Sequence, residues 1–199
     1  MKFTKTEKRD LINAGVMISL AFAILLAGGF QGLLSFSPVL LILFVMSFFT
    51  AGIGFLLHEI MHKYIAQSYG FKAKFVAFYN MLWLALFFSL FGFIIAAPGG
   101  VMIKGEVTKE KNGKISLAGP MTNIVLAGIF LILLLLFGNF SVLVKAFLSF
   151  GLLINALLGA FNMLPFGLFD GSKVLRWNKT AYFVSLGIAV ALLIMSFGI

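Results

Sequence analysis

The segment FVAFYNMLWLALFFSLFGFIIAA, Phe75 to Ala97, decides the fold of this chain. It is long enough to cross a bilayer, which takes about 20 apolar residues. Five other apolar segments surround it: Leu11 to Phe30, Val39 to Tyr69, Ile115 to Phe137, Val142 to Leu164, and Thr180 to the C-terminus. If all six cross, the 15 lysines and arginines divide 8 to 7 between the two sides. If Phe75–Ala97 enters and returns, they divide 14 to 1, with Lys145 alone on the far side. Basic residues in short loops collect on the cytoplasmic side, so the second arrangement is preferred. The expected fold is therefore an all-α polytopic membrane protein with five transmembrane helices, six being the alternative.

The flanks of the segment suit a small re-entrant β element. Lys72 to Phe78 alternates in part, as a strand does, and Phe93 to Lys104 is β-prone around Pro98-Gly99-Gly100. Non-helical backbone at membrane depth is tolerated only where protein or a wet cavity covers it. Asn80 to Phe93 is expected to be helical between the two.

Composition agrees. Hydrophobic residues make up 62% of the chain, charged ones 11%, and the mean hydropathy is +1.13, which fits a bilayer-embedded chain rather than a soluble one. We expect a single membrane-embedded domain over residues 1–199, with no soluble regulatory domain. The absence of cysteine excludes disulfides, thiolate metal ligands and a cysteine nucleophile. The net charge of +9 does not point to nucleic acid, because its lysines lie in short loops without a clustered basic face. At the N-terminus, Lys2, Lys5, Lys8 and Arg9 precede the first apolar segment, and no cleavage site follows it. A retained span is expected there rather than a signal peptide.

The second apolar segment holds both histidines of the chain, in Phe55-Leu56-Leu57-His58-Glu59-Ile60-Met61-His62. Residues i and i+4 share one face of a helix, so both imidazoles can grip one ion. Ionisable groups inside apolar helices are costly and mark function. A hydrolytic zinc site has three protein ligands and one open position. With no cysteine and no third histidine, the remaining ligand must be one of six carboxylates. Glu7 and Asp10 lie in the charged tail, Glu110 in a lysine-rich turn, and Glu106 at the start of that turn. Asp170 stands in the uncharged bend Leu164 to Gly171, where it needs a cation, and five spans bring it to the same side as the histidines. Its alternative role is an N-cap for the following helix. Glu59 projects about 100° around the helix from His58 and suits the general base that takes a proton from the attacking water. The reaction class is metal-assisted hydrolysis of an amide. A metal transporter would instead show ionisable groups at successive depths, and a non-proteolytic relative would lack the base or a ligand.

With these motifs in order, the sequence resembles the site-2 protease family of intramembrane zinc metalloproteases. His58-Glu59-Ile60-Met61-His62 matches its H-E-x-x-H, and Pro98-Gly99-Gly100 through Gly105 looks like its Gly-rich re-entrant element. Gly119-Pro120-Met121-Thr122-Asn123 matches G-P-x-x-N, and Asn162 to Gly171 matches N-x-x-P-x-x-x-x-D-G. The resemblance implies a catalytic core at about 39–172, one Zn2+ held by His58, His62 and Asp170, and Glu59 as base. It further implies that Asn123, Asn162, Gly99 and Gly100 position substrate or polarise its carbonyl. Asparagine in membrane helices also serves interhelical hydrogen bonds. The implied partners are a transmembrane protein substrate and membrane lipid. The implied location is a prokaryotic cell membrane, with the N-terminus and the site's opening cytoplasmic. Phe169 stands where the family commonly has Leu.

Overall fold

A computed structural model of the chain describes residues 1–35, 37–94 and 98–199. Five of its helices are long and apolar enough to cross a membrane: Lys5–Leu26, Val39–Ser68, Lys109–Phe137, Val142–Asn162 and Lys179–Ser196. Exposed Ile132, Leu135 and Leu136 on one of them, and Phe183, Ile188 and Ile194 on another, need an apolar surrounding that a bilayer supplies. Among the described residues, the segment that decides the topology gives no helix long enough to span. Its helix covers only Tyr79–Ser89, about 16 Å at 1.5 Å per residue, against a hydrocarbon core of about 30 Å. Five candidate spans and a small two-stranded sheet make up the architecture of the described residues.

The described residues form two compact units, Met1–Leu56 with Lys74–Met102, and Leu57–Ala73 with Ile103–Ile199. In the first, α1 (Lys5–Leu26) starts from a capping box in which Thr4 and Glu7 satisfy each other's backbone N–H. The short α2 (Phe30–Leu34) follows, then α3 (Val39–Ser47), a π-helical turn at Phe48–Gly52, and the first turn of α4 (Ile53–Ser68). Small residues let α1 approach this long helix closely. A Cβ on Gly52 would overlap the Ser19 hydroxyl, and one on Gly15 would stand 2.9 Å from Leu56.

The same unit holds most of the sheet, in which β1 (Lys72–Ala77) pairs with β2 (Gly99–Lys104), and α5 (Tyr79–Ser89) between them. The strand expected from Phe93 begins only at Gly99, because Phe93 and Ile94 continue out of the turn that ends α5. Ile95, Ala96 and Ala97 lie outside the described residues. The charged N-terminal tail is not a solvated arm. Glu7 is buried and its Oε1 accepts from the Phe75 N–H at 2.9 Å, while Asp10 Oδ1 accepts from the Tyr79 hydroxyl at 3.0 Å. Two carboxylates of α1 thus fix the middle of β1 and the start of α5, above a core of Leu11, Ile18, Phe55, Phe75 and Leu82.

The second unit contains the rest of α4, then α6 (Lys109–Phe137), α7 (Val142–Asn162), α8 (Asp170–Trp177) and α9 (Lys179–Ser196). The lysine-rich turn ends sooner than expected, because Thr108 caps α6 by accepting from the Lys111 N–H. Ala127 and Leu134 of α6 interlock with Leu148, Leu152 and Ala156 of α7. A Cβ on Gly151 would overlap the Phe130 ring, so this residue sets how closely α6 and α7 pack. Gly171 lies against the Met163 backbone, where a Cβ would not fit, and this holds the start of α8 beneath the end of α7.

Candidate metal centre

Helical spacing puts His58 and His62 on one face of α4, their rings 4.6 Å apart between centroids and their Nε2 atoms 3.0 Å apart. Asp170 is the first residue of α8 and not its cap, a position that Phe169 takes without a side-chain bond. Its Oδ2 lies 3.0 Å from His62 Nε2 and 3.5 Å from His58 Nε2. The histidines are 5% and 7% exposed, and the Asp170 side chain 12%. Burial alone would raise the Asp170 pKa; the positive charge of His62 and His58 when protonated, standing where a cation would, outweighs it and holds the carboxyl well below its usual range.

The opposite edges of the two rings show which nitrogen faces the centre. His62 Nδ1 lies 2.8 Å from the Ile115 carbonyl, which can only accept, so Nδ1 carries the proton. The His58 assignment runs through two asparagines and ends on another carbonyl. Asn155 Nδ2 donates to the Gly151 oxygen at 2.9 Å, which turns Asn155 Oδ1 toward Asn123. Asn123 Nδ2 donates to that oxygen at 3.1 Å, leaving Asn123 Oδ1 to accept from His58 Nδ1 at 2.6 Å. Two backbone carbonyls therefore commit both rings to the tautomer whose free lone pair is on Nε2.

Two imidazole lone pairs and a carboxylate oxygen converging at these distances can hold a cation between them. Ligands at 2.0–2.1 Å from a tetrahedral zinc stand about 3.3 Å apart. The observed 3.0, 3.0 and 3.5 Å bracket that value. Space is kept by Gly119 of α6, where a Cβ would overlap the Nε2 atoms of both histidines. Glu59 is 8% exposed, and among the described residues no hydrogen-bond partner reaches its buried Oε2. The three ligands, the cradle left by Gly119 and the unsatisfied carboxylate fit a single divalent ion with a base beside it.

Comparison with known proteins agrees with this geometry. The chain is 38% identical over 181 residues to a Methanocaldococcus jannaschii protein named "Putative zinc metalloprotease MJ0611", covering 89% of each. This chain belongs to that zinc metalloprotease family. A second protein of the same organism, "Zinc metalloprotease MJ0392", is 24% identical over 167 residues, which are 79% of this chain and 43% of that one. No protein-family model matches the chain, and no solved structure matches it.

The other predicted residues of this metalloprotease have distinct surroundings. Asn123 is wholly buried and orients His58. Half-buried Asn162 donates from Nδ2 to the Leu158 carbonyl of its own helix at 2.9 Å. In β2, a Cβ on Gly99 would collide with the Phe75 ring, whereas one on Gly100 would meet nothing within 4 Å. Sequence reasoning missed Asn155, although an amide in the middle of the apolar α7 is a signal of its own. It also missed Gly119 as the ion's cradle, and Lys173, whose Nζ donates to Asp170 Oδ1 at 3.3 Å. Lys173 occupies one carboxylate oxygen and leaves the other to the histidines.

Proposed function

We propose that this protein is an intramembrane zinc endopeptidase of the site-2 protease type. It hydrolyses peptide bonds within or near the transmembrane segments of other membrane proteins. The observation that carries this reading is where the ligands stand. His58, Glu59 and His62 lie inside the 30-residue helical run Val39–Ser68, while Gly119 and Asn123 lie inside the 29-residue run Lys109–Phe137, both candidate spans. An apolar groove beside this face supports an apolar substrate segment. Leu57, Met61 and Ile65 of α4 line it with Leu117, Met121 and Val125 of α6.

Bound zinc would polarise the scissile carbonyl and lower the pKa of the attacking water. His58, His62 and Asp170 would hold the ion, and Asn123 with Asn155 keeps the His58 tautomer correct. Glu59 Oε2 takes the proton of the attacking water and returns it to the amide nitrogen as the C–N bond breaks. β2 pairs with β1 on one side, and among the described residues no strand pairs with its other edge. That edge supports strand addition of an unwound substrate segment through the backbone around Gly99 and Gly100. The lysine asymmetry supports a cytoplasmic N-terminus in a cell membrane.

The test is Glu59→Gln in detergent, with bound zinc and cleavage of a single-span substrate both measured. Zinc is expected to stay and cleavage to vanish. A fully active variant would overturn the assigned mechanism.

A further inference from the structure

A separate polar cavity, of about 360 Å³, opens between the start of α6 and α8, lined by Val107, Lys109, Asn112, Lys173 and Arg176. Three cations and an amide donor face one space, and no carboxylate lines it. The nearby acids do not compensate. Glu110 is held by Lys114, and Glu106 is not part of the wall. Among the described residues no carboxylate pairs with Lys109 or Arg176. Arg176 Nε donates to the Ser172 carbonyl at 3.0 Å, which fixes the guanidinium while its terminal N–H groups stay available. Lys173 donates one N–H to Asp170 Oδ1 and has two more.

We propose that this cavity binds a phosphate group and is linked to the metal ligand Asp170 through Lys173. Like charges gathered in one space repel, and an anion accepting several N–H donors relieves the repulsion. A guanidinium fork beside ammonium groups suits the several oxygens of phosphate better than a single carboxylate. The first turn of α6 adds the positive end of its dipole. The cavity lies where the α6 span begins and, along the chain, between the α7 and α9 spans, so phosphate can arrive on an anionic phospholipid or on a soluble ester. An anion on Lys173 offsets its pull on Asp170 Oδ1 and leaves more charge on Oδ2 for the metal. By linkage, zinc must tighten the anion by the same factor. The link rests on the metal site described above; the anion site does not.

The experiment uses the full chain, as wild type and as the double variant Lys109→Gln/Arg176→Gln. Glycerol 1-phosphate is the soluble probe, titrated in uncharged detergent. The lipid arm uses nanodiscs of phosphatidylcholine with and without phosphatidylglycerol, with retained lipid read by native mass spectrometry. Tenfold or greater loss of either probe in the double variant supports the site, and the probe that binds names the source. Equal binding of both probes to both proteins, or none to either, overturns it. Zinc affinity in a chelator buffer, without probe, reports the metal site separately and shows that the double variant is folded. Added probe should tighten zinc about fivefold in wild type and not in the variant. A bound probe that leaves zinc affinity unchanged would refute the link through Lys173.

Discussion

Replacing Asn155 by leucine, a residue that touches no ligand, should weaken zinc binding tenfold or more. Asn155 Oδ1 accepts from Asn123 Nδ2 at 3.1 Å, and that bond keeps Asn123 Oδ1 turned to His58. The Asn155→Leu variant removes the acceptor of Asn123 Nδ2, which weakens the bias that keeps Oδ1, and not the NH2, turned to His58. Wherever the NH2 faces His58, the His58 proton moves to Nε2, the position the ion requires. A buried neutral hydrogen bond contributes about 0.5–1.5 kcal/mol net, and apposing donor to donor costs more. Loss of such outer partners typically lowers metal affinity about 10- to 100-fold, or roughly 1.4–2.7 kcal/mol. The assay is chelator competition for zinc in detergent, with thermal unfolding to confirm that the variant is folded. A second substitution sharpens the test. Asn123→Asp supplies a carboxylate, which has no N–H to turn inward and accepts from His58 in either orientation. Added to Asn155→Leu, it should restore most of the lost affinity. Less than threefold weakening in a folded Asn155→Leu protein, or no recovery in the double variant, would refute the tautomer argument.

Gly119→Ala should abolish zinc binding while leaving a helical, membrane-inserted protein, because the new Cβ overlaps both Nε2 atoms; atomic absorption of the purified variant measures this. Glu7→Ala removes the acceptor of the buried Phe75 N–H and should destabilise the protein by about 1–3 kcal/mol, seen as a lower melting temperature in detergent. Gly52→Ala should lower it as well, by about 1–3 kcal/mol, since α1 must move away to clear Ser19. The chain has no cysteine, so Asn112→Cys gives a clean topology probe. Its labelling from the same side as the N-terminus is expected, and labelling only from the opposite side would restore a sixth crossing.

Periodicity makes the candidate spans legible, because a bilayer imposes their length and apolarity. Phe75–Ala97 adds no sixth candidate span among the described residues, because its helix has only 11 residues and lies between two strands. What the pattern does not supply is the role of the N-terminal tail. Glu7 and Asp10 lie among lysines and read only as part of a charged tail. Which backbone N–H and which hydroxyl they meet depends on how the sheet and α5 return to α1, and that is a tertiary fact. The start of α6 differs from the expected one by a few residues, because Thr108 caps a turn still rich in lysine.

At the site, the ligands are legible because their chemistry is scarce: two histidines in the whole chain, and one aspartate in an uncharged bend. Their supports are not, because asparagine and glycine are common in membrane helices for packing alone. Asn123 is expected from the motif to face substrate, yet both ends of its amide point into the protein, toward His58 and Asn155. The distinction matters physically. A neutral imidazole has two tautomers of similar energy, and in a water-poor site nothing but a fixed neighbour chooses between them. Here the choice is anchored on the carbonyls of Ile115 and Gly151, groups that cannot rotate or change protonation. α6 supplies the first, and α7 supplies the second through Asn155. The geometry of the α6–α7 packing, set by Gly151 against Phe130, is therefore also what holds His58 ready for metal.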